Sequence, residues 1–262
     1  MLRERNFVCI IPAKGNSTGL NGKNMRIVAG KPLVYWAIKH AKDSGIHDRI
    51  IVSSDFPDIG EYAESLGVEW QRRPDAFCTP NVGVPDIMPF VLSRLDKKYD
   101  YVQVLEPTAP LVDGIDISKA AIKLVANKAD MIISICPATA PLGYAAPLPH
   151  INKEGHVRLT DWFPKSLRHK NRQQCKTFYQ LDGNIYIAKS SIWKNKEDYW
   201  KKDIMPFIMP INKYVDIDDE TDLMVADMRL RELYPSGIKG CIQNVINRFS
   251  PKPNFRERDF CA

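Results

Sequence analysis

Short apolar runs alternate along the chain with longer amphipathic segments. Residues 7–12, 49–53, 101–105 and 131–136 are rich in β-branched side chains and bounded by turn formers, the pattern of buried strands. Between them, residues 32–44, 57–66, 84–95 and 115–126 space their apolar positions as helices do, with Pro32 and Pro57 where a first turn tolerates proline. The order β-α-β-α-β predicts an α/β fold: a mainly parallel, Rossmann-like sheet flanked by helices, with right-handed crossovers. Ligands of such sheets bind beyond the carboxyl ends of the strands. The regularity breaks after Pro137. Residues 137–176 are rich in proline, glycine, histidine and basic side chains and read as an excursion from the sheet. Further strands are predicted over 178–189 and 207–211, and a helix over 219–233 with acids in its first turn and Arg229 and Arg231 near its end, as the helix dipole favours. The expected organisation is one main domain over 1–236, containing the excursion, and a C-terminal extension over 237–262.

Composition changes this picture little. With 262 residues and 44% hydrophobic content, the chain can bury a full core. The net charge of +6 suits a pocket for polyanions, but the basic residues are scattered, and no recognition motif or basic stripe points to nucleic acid. No apolar run approaches the roughly 20 residues that span a bilayer. The 7–12 run is too short for a signal-peptide core, and the six cysteines form no CxxC pair. A cytoplasmic protein in a reducing compartment, without membrane contact, is expected.

Two segments carry candidate chemistry. After Pro12 comes Ala13-Lys14-Gly15-Asn16-Ser17-Thr18-Gly19-Leu20-Asn21-Gly22-Lys23-Asn24. Glycines let such a loop turn backbone N–H groups toward an anion, and Lys14 and Lys23 add point charges for phosphates. It satisfies neither GxxxxGK[ST] nor GxGxxG, and taken alone it reads more readily as an ordinary surface loop. The second segment is Val215-Asp216-Ile217-Asp218. At an extended strand end, alternate side chains face one way, so both carboxylates can meet one hard cation such as Mg²⁺. Alone, the pair reads more readily as a helix start, with Asp218 or Asp219 as the cap.

The longer string of motifs resembles the acylneuraminate cytidylyltransferases, the CMP-sialic acid synthetase family. The shared features are Pro12-Ala13-Lys14, Ser17, Gly19-Leu20, Lys23-Asn24 and Gly30-Lys31-Pro32-Leu33, then the run Asp48 to Asp55, Arg73-Pro74 and Pro107-Thr108-Ala109-Pro110-Leu111. Arg172-Gln173, Gly183-Asn184-Ile185-Tyr186-Ile187 and Asp216-Ile217-Asp218 follow in order. The resemblance implies transfer of CMP from CTP to an acidic 2-keto sugar, sialic acid or a related nonulosonic acid, with release of pyrophosphate. It implies Lys14 and Lys23 on the triphosphate, Asp216 and Asp218 on Mg²⁺, and Pro12, Ala13, Gly15, Asn24 and Arg73 around the nucleotide. Glu106, Gln180 and Asp182 would lie toward the sugar, and Arg172 and Gln173 would reach a sugar in the neighbouring subunit of a homodimer. A guanidinium suits that last task because it binds a carboxylate through two parallel hydrogen bonds.

Several positions depart from the family pattern. Lys14 replaces arginine and Thr18 replaces lysine; Glu106 replaces glutamine, Val112 arginine and Asp182 asparagine; Pro80-Asn81-Val82-Gly83-Val84 matches the ribose region poorly. Ionised carboxylates only accept hydrogen bonds, so an altered sugar pocket is expected, for another nonulosonic acid or an eight-carbon relative such as Kdo. Two rivals remain at this level: a nucleotide-sugar-dependent glycosyltransferase, whose Asp-x-Asp usually comes earlier in the chain, and a non-catalytic nucleotide-binding homologue. His150, His156 and His169 lack systematic spacing and read as loop histidines.

Overall fold

A computed structural model describes residues 2–15, 19–79, 81–138 and 171–235; the side chains of Arg3 and Arg172 are outside that description. In chain order the elements are β1 (Phe7–Pro12), β2 (Ile27–Val28), β3 (Lys31–Pro32), α1 (Leu33–Ser44), β4 (Arg49–Ser54), α2 (Pro57–Ser65), β5 (Glu69–Arg72), α3 (Val84–Ser93), β6 (Tyr101–Val104), α4 (Gly114–Ala126), β7 (Met131–Pro137), β8 (Tyr179–Lys189), α5 (Ser190–Lys194), β9 (Ile204–Ile208) and α6 (Glu220–Leu233).

Seven strands form one sheet in the order β5-β4-β1-β6-β8-β7-β9, and β2 and β3 pair separately. β1 is parallel to β4 and β6, β4 to β5, and β7 to β9. The sheet is mainly parallel, as expected, but β8 lies antiparallel between β6 and β7. The β1 sequence explains its central place. Phe7 to Ile11 are fully buried, and alternate residues enter two cores on opposite faces. One core takes Cys9 and Ile11 with Val34, Ile38 and Leu124 of α1 and α4. The other takes Val8 and Ile10 with Ile87 and Met88 of α3. Because β4 lies on one side of β1 and β6 on the other, the connections change direction at β1, the place where α/β sheets open a ligand crevice.

A third cluster ties α6 to the sheet: Leu223, Ala226 and Leu230 pack with Leu20, Val28 and Trp36, and Val215 and Ile217 join them. This burial delivers the Asp-x-Asp segment to the loop after β1. Asp216 and Asp218 lie outside any strand, rather than at a strand end, in a segment tied to the sheet by Ile217 N–H donating to the Thr108 carbonyl (3.0 Å). The cap of α6 is Asp219, which exchanges hydrogen bonds with Asp222. Asp216 and Asp218 are therefore free of the capping task.

The start of α4 braces the same segment. Asp113 accepts from Asp116 N–H (2.9 Å), and the Lys213 ammonium reaches Asp113 (2.6 Å) and Asp116. Asp113→Ala removes the cap and one partner of Lys213, three residues before Asp216. We expect a stability loss of about 1–2 kcal/mol, read by urea unfolding.

Three sequence expectations shift. Pro32 is the residue before α1, not its first turn. The strand expected at 207–211 is Ile204–Ile208, and Glu69–Arg72 and Ser190–Lys194 form elements not foreseen. The excursion lies mostly outside the described residues, as does the whole C-terminal extension, and Ser17, Thr18, His150, His156 and His169 lie there too. Among the described residues no helix is long and apolar enough to cross a membrane.

Candidate active site

A cleft of about 280 Å³ opens at the carboxyl ends of β1 and β6. Its walls are Pro12, Lys14, Lys23 and Asn24 from the first loop, Arg73 after β5, Val82 to Val84 and Ile87 at α3, Glu106 to Thr108 after β6, and Asp216 and Asp218. Eight of the residues singled out from the sequence thus meet in one place, contributed by segments up to about 200 positions apart.

Close backbone packing makes this convergence possible. A Cβ on Gly19 would lie 2.6 Å from the Asp218 carbonyl oxygen, so only glycine lets the loop touch the Asp-x-Asp segment. The Lys23 side chain, 14% exposed, completes the join by donating to the Ile217 carbonyl (2.7 Å) and to Asp218 Oδ1 (3.2 Å). Asn24 is buried; its Nδ2 donates to the Lys14 carbonyl (2.8 Å), while its Oδ1 finds no partner among the described residues. A buried acceptor left open on a cleft wall is ready for a donor from a ligand. Arg73, 5% exposed, holds the Ser53 carbonyl through one N–H (2.8 Å) and leaves guanidinium donors for the cleft.

The acidic side of the cleft is electrostatically crowded. The Asp216 carboxyl is raised above its ordinary range by loss of water and then by Asp218, with Thr108 and Lys23 opposing. The Glu106 carboxyl is pushed up to about 7, first by burial and then by Asp216, with Lys23 opposing and Asp218 adding to the rise. The Tyr186 hydroxyl is pushed well up by burial and by Glu106. Carboxylates that hold one another's protons on are a site that a cation relieves. Among the described residues no three acidic, histidine or cysteine side chains form a closed cation cage. Mg²⁺ needs no such cage, since it takes one or two carboxylates with substrate phosphates and waters. The hard, exposed pair Asp216 and Asp218 fits that requirement.

The Glu106 shift gives a stability test. A carboxyl whose folded pKa exceeds its unfolded value of about 4.5 binds protons more tightly when folded, so its contribution to stability is present below about pH 4.5 and is lost as pH rises through about 7. Glu106→Gln is therefore expected to be more stable than wild type at pH 8 without divalent cation. The gain is about 1–2 kcal/mol after allowing for water in the cleft, and vanishes at pH 4, read by urea unfolding.

Other singled-out residues lie elsewhere. Ala13 is fully buried, its N–H donating to the Ser53 carbonyl (3.0 Å). The Gly15 N–H is taken by Asp55 Oδ1 (2.8 Å) rather than left for a phosphate. Gln180 and Asp182 do not line the cleft. Asp182 is 1% exposed, and its Oδ1 accepts from the Ser134 hydroxyl and the Asn184 N–H, so strand pairing turns it inward. Arg172 and Gln173 sit in a short turn, Arg172–Gln174, apart from the cleft lining, with Gln173 exposed. Thr108 and Tyr186 stand inside the family motifs but, being neutral, suggest no role there; Tyr214 lies outside every motif and gives itself away only by standing two residues before Asp216.

Residues 8–143, just over half of the chain, match the family model described as cytidylyltransferase. The pseudaminic acid cytidylyltransferase of Campylobacter jejuni (strain 81-176) is 28% identical over 224 residues, 84% of this chain and 94% of that protein. The CMP-N,N'-diacetyllegionaminic acid synthase of Legionella pneumophila is 29% identical over 234 residues, 87% of this chain and 97% of that protein. The N-acylneuraminate cytidylyltransferase of Escherichia coli O18:K1:H7 is 26% identical over 250 residues, 95% of this chain but 57% of that longer protein. Among solved structures, CMP:2-keto-3-deoxy-manno-octonic acid synthetase complexed with CTP shares the fold, with a TM-score of 0.65 at 14% identity over 87% of this chain and 99% of that one.

Proposed function

The chain belongs to the cytidylyltransferase family of CMP-sialic acid synthetase-like nucleotidyltransferases, and we propose that it transfers CMP from CTP to an acidic 2-keto sugar of the nonulosonic class. The observation that carries this reading is the junction of Lys14, Lys23 and Asn24 with Asp216 and Asp218 on one cleft. Cations for a triphosphate and carboxylates for a divalent ion meet where the sheet opens.

In the proposed reaction the anomeric hydroxyl oxygen of the sugar bonds to the α-phosphorus of CTP. The bond from that phosphorus to the bridging oxygen of the β-phosphate breaks, pyrophosphate departs, and the hydroxyl proton is lost. The protein's part is positioning and charge neutralisation. Lys14 and Lys23 offset the charge of the phosphates. Asn24 Oδ1 takes a donor of the cytidine, and Arg73 gives its remaining N–H groups to the same nucleotide. Asp216 and Asp218 hold Mg²⁺, which when bound offsets charge developing on the phosphoryl oxygens and lowers the pKa of the attacking hydroxyl. Glu106 lies beside the carboxylate pair and, when ionised, accepts from sugar hydroxyls. A homodimer is part of the proposal, with Arg172 of one copy serving the sugar carboxylate in the other.

Mass spectrometry of the product tests this reading. CTP, Mg²⁺ and a nonulosonic acid should give a CMP-sugar adduct. With CTP, UTP and ATP supplied together, a product that carries UMP or AMP in place of CMP would replace it, as would transfer from a supplied CMP-sugar to another acceptor.

A further inference from the structure

The loop after β1 and the turn after β4 meet through a single carboxylate. Asp55 Oδ1 accepts from the Gly15 N–H at 2.8 Å, one residue past Lys14. Beside it, a Cβ on Gly15 would lie 2.8 Å from Phe56 Cβ, so the loop lies directly on the Asp55-Phe56 turn. Two further backbone bonds run through the same turn: Ala13 N–H to the Ser53 carbonyl (3.0 Å) and Arg73 N–H to the Ser54 carbonyl (2.8 Å). The Arg73 guanidinium also reaches Ser53 O (2.8 Å), and it feels the charge of Asp55. The Cys78 thiol, in the turn that follows Arg73, donates to the Pro74 carbonyl (3.5 Å). Asp55 thus ties the segment bearing Lys14 to the strand end that holds Arg73, on two sides of the cleft.

An acid beside a polyphosphate pocket is unfavourable by charge alone, so its place needs another reason. We propose that Asp55 is a positioning residue: it pins Gly15 to the end of β4 whose Ser53 and Ser54 carbonyls hold Arg73, so that Lys14 and Arg73 stand at a fixed separation across the nucleotide. The proposal rests on the reading that the cleft takes CTP. Without the pin, a backbone donor is left unmet and the loop is free to swing Lys14 away from the phosphates. The nucleotide, rather than the chemical step, then bears the loss.

The test is CTP affinity by calorimetry in Mg²⁺, with KM and kcat in parallel. Asp55→Ala is expected to weaken CTP binding about 10- to 100-fold, with kcat at saturating CTP changed less than about threefold. Asp55→Asn keeps an oxygen for the Gly15 N–H and is expected to stay within about threefold of wild type. Gly15→Ala, which forces a methyl onto Phe56 Cβ, should weaken binding in the same way, and Gly15→Ala with Phe56→Gly, which removes that Cβ, should recover most of it. Wild-type affinity in Asp55→Ala would overturn the proposal. Should Asp55→Ala fail to fold, wild-type affinity in Gly15→Ala, or no recovery in the double variant, would overturn it instead. A wild-type protein that binds no CTP would sink the reading of the cleft itself.

Discussion

Replacing either Asp216 or Asp218 by alanine is expected to reduce turnover by roughly 10²- to 10³-fold or more, with the fold intact. The reason lies in what these carboxylates do not do. Asp219 caps α6 through Asp222, so neither Asp216 nor Asp218 is needed to start the helix. Val215 and Ile217, not the aspartates, bury the segment. What the aspartates contribute is negative charge at the mouth of the cleft, held there against loss of water and then mutual repulsion, which raise the Asp216 carboxyl. Alanine at either position relieves that repulsion, so the ligand-free variants should melt no lower than wild type. The proposed divalent ion loses half its protein ligands, and the phosphates lose its help. Steady-state rates at saturating Mg²⁺, with thermal melts of the same samples, separate the two effects. A large fall in melting temperature that tracks the loss of rate would mark the pair as structural.

Lys23→Met is expected to cost about 10²-fold in kcat/KM and, unlike the aspartate variants, to destabilise the ligand-free protein. The Lys23 ammonium is mostly buried and donates to Ile217 O and to Asp218. Methionine fills a similar volume but leaves that carbonyl without this donor and removes a cation felt by both Asp216 and Glu106. At about 4 Å such a charge is worth roughly 1–4 kcal/mol between water-like and surface-like screening. Added Mg²⁺ should restore part of the lost stability, because it returns positive charge to the same carboxylates, without restoring turnover. Lys23→Arg should not rescue, since the forked guanidinium does not fit a point between a carbonyl and a carboxylate. Melting curves with and without Mg²⁺ and CTP saturation kinetics check both points; full rescue by arginine would contradict them.

The buried strands were legible because they are apolar on both faces: β1 is Phe7–Pro12, as its pattern predicts. The strands that escaped or slipped are the sheet's two edges. β5 reads Glu-Trp-Gln-Arg, a half-solvated strand with no apolar run. β9 contains Pro206, which interrupts its apolar run; at an edge, proline costs no ladder bond. The antiparallel course of β8 was hidden because residues 139–170, outside the described structure, separate it from β7. At the site, charged and amide residues in motifs were legible, since Lys14, Lys23, Asn24, Arg73, Glu106, Asp216 and Asp218 all line the cleft. Asp182 reads in sequence as a polar residue beside a glycine, but pairing with Ser134 turns it inward, which only the sheet register reveals. Val82 to Val84, where the family resemblance is poorest, nonetheless form a cleft wall, because apolar contact with a nucleotide requires shape rather than a fixed motif.

The most direct test is pyrophosphate release from CTP in Mg²⁺ with a panel of nonulosonic and eight-carbon 2-keto acids, comparing wild type with Asp218→Ala. The account predicts release that depends on one sugar class and falls by at least about 10²-fold in the variant. Release that does not require an acidic sugar, or that survives in Asp218→Ala, would contradict it.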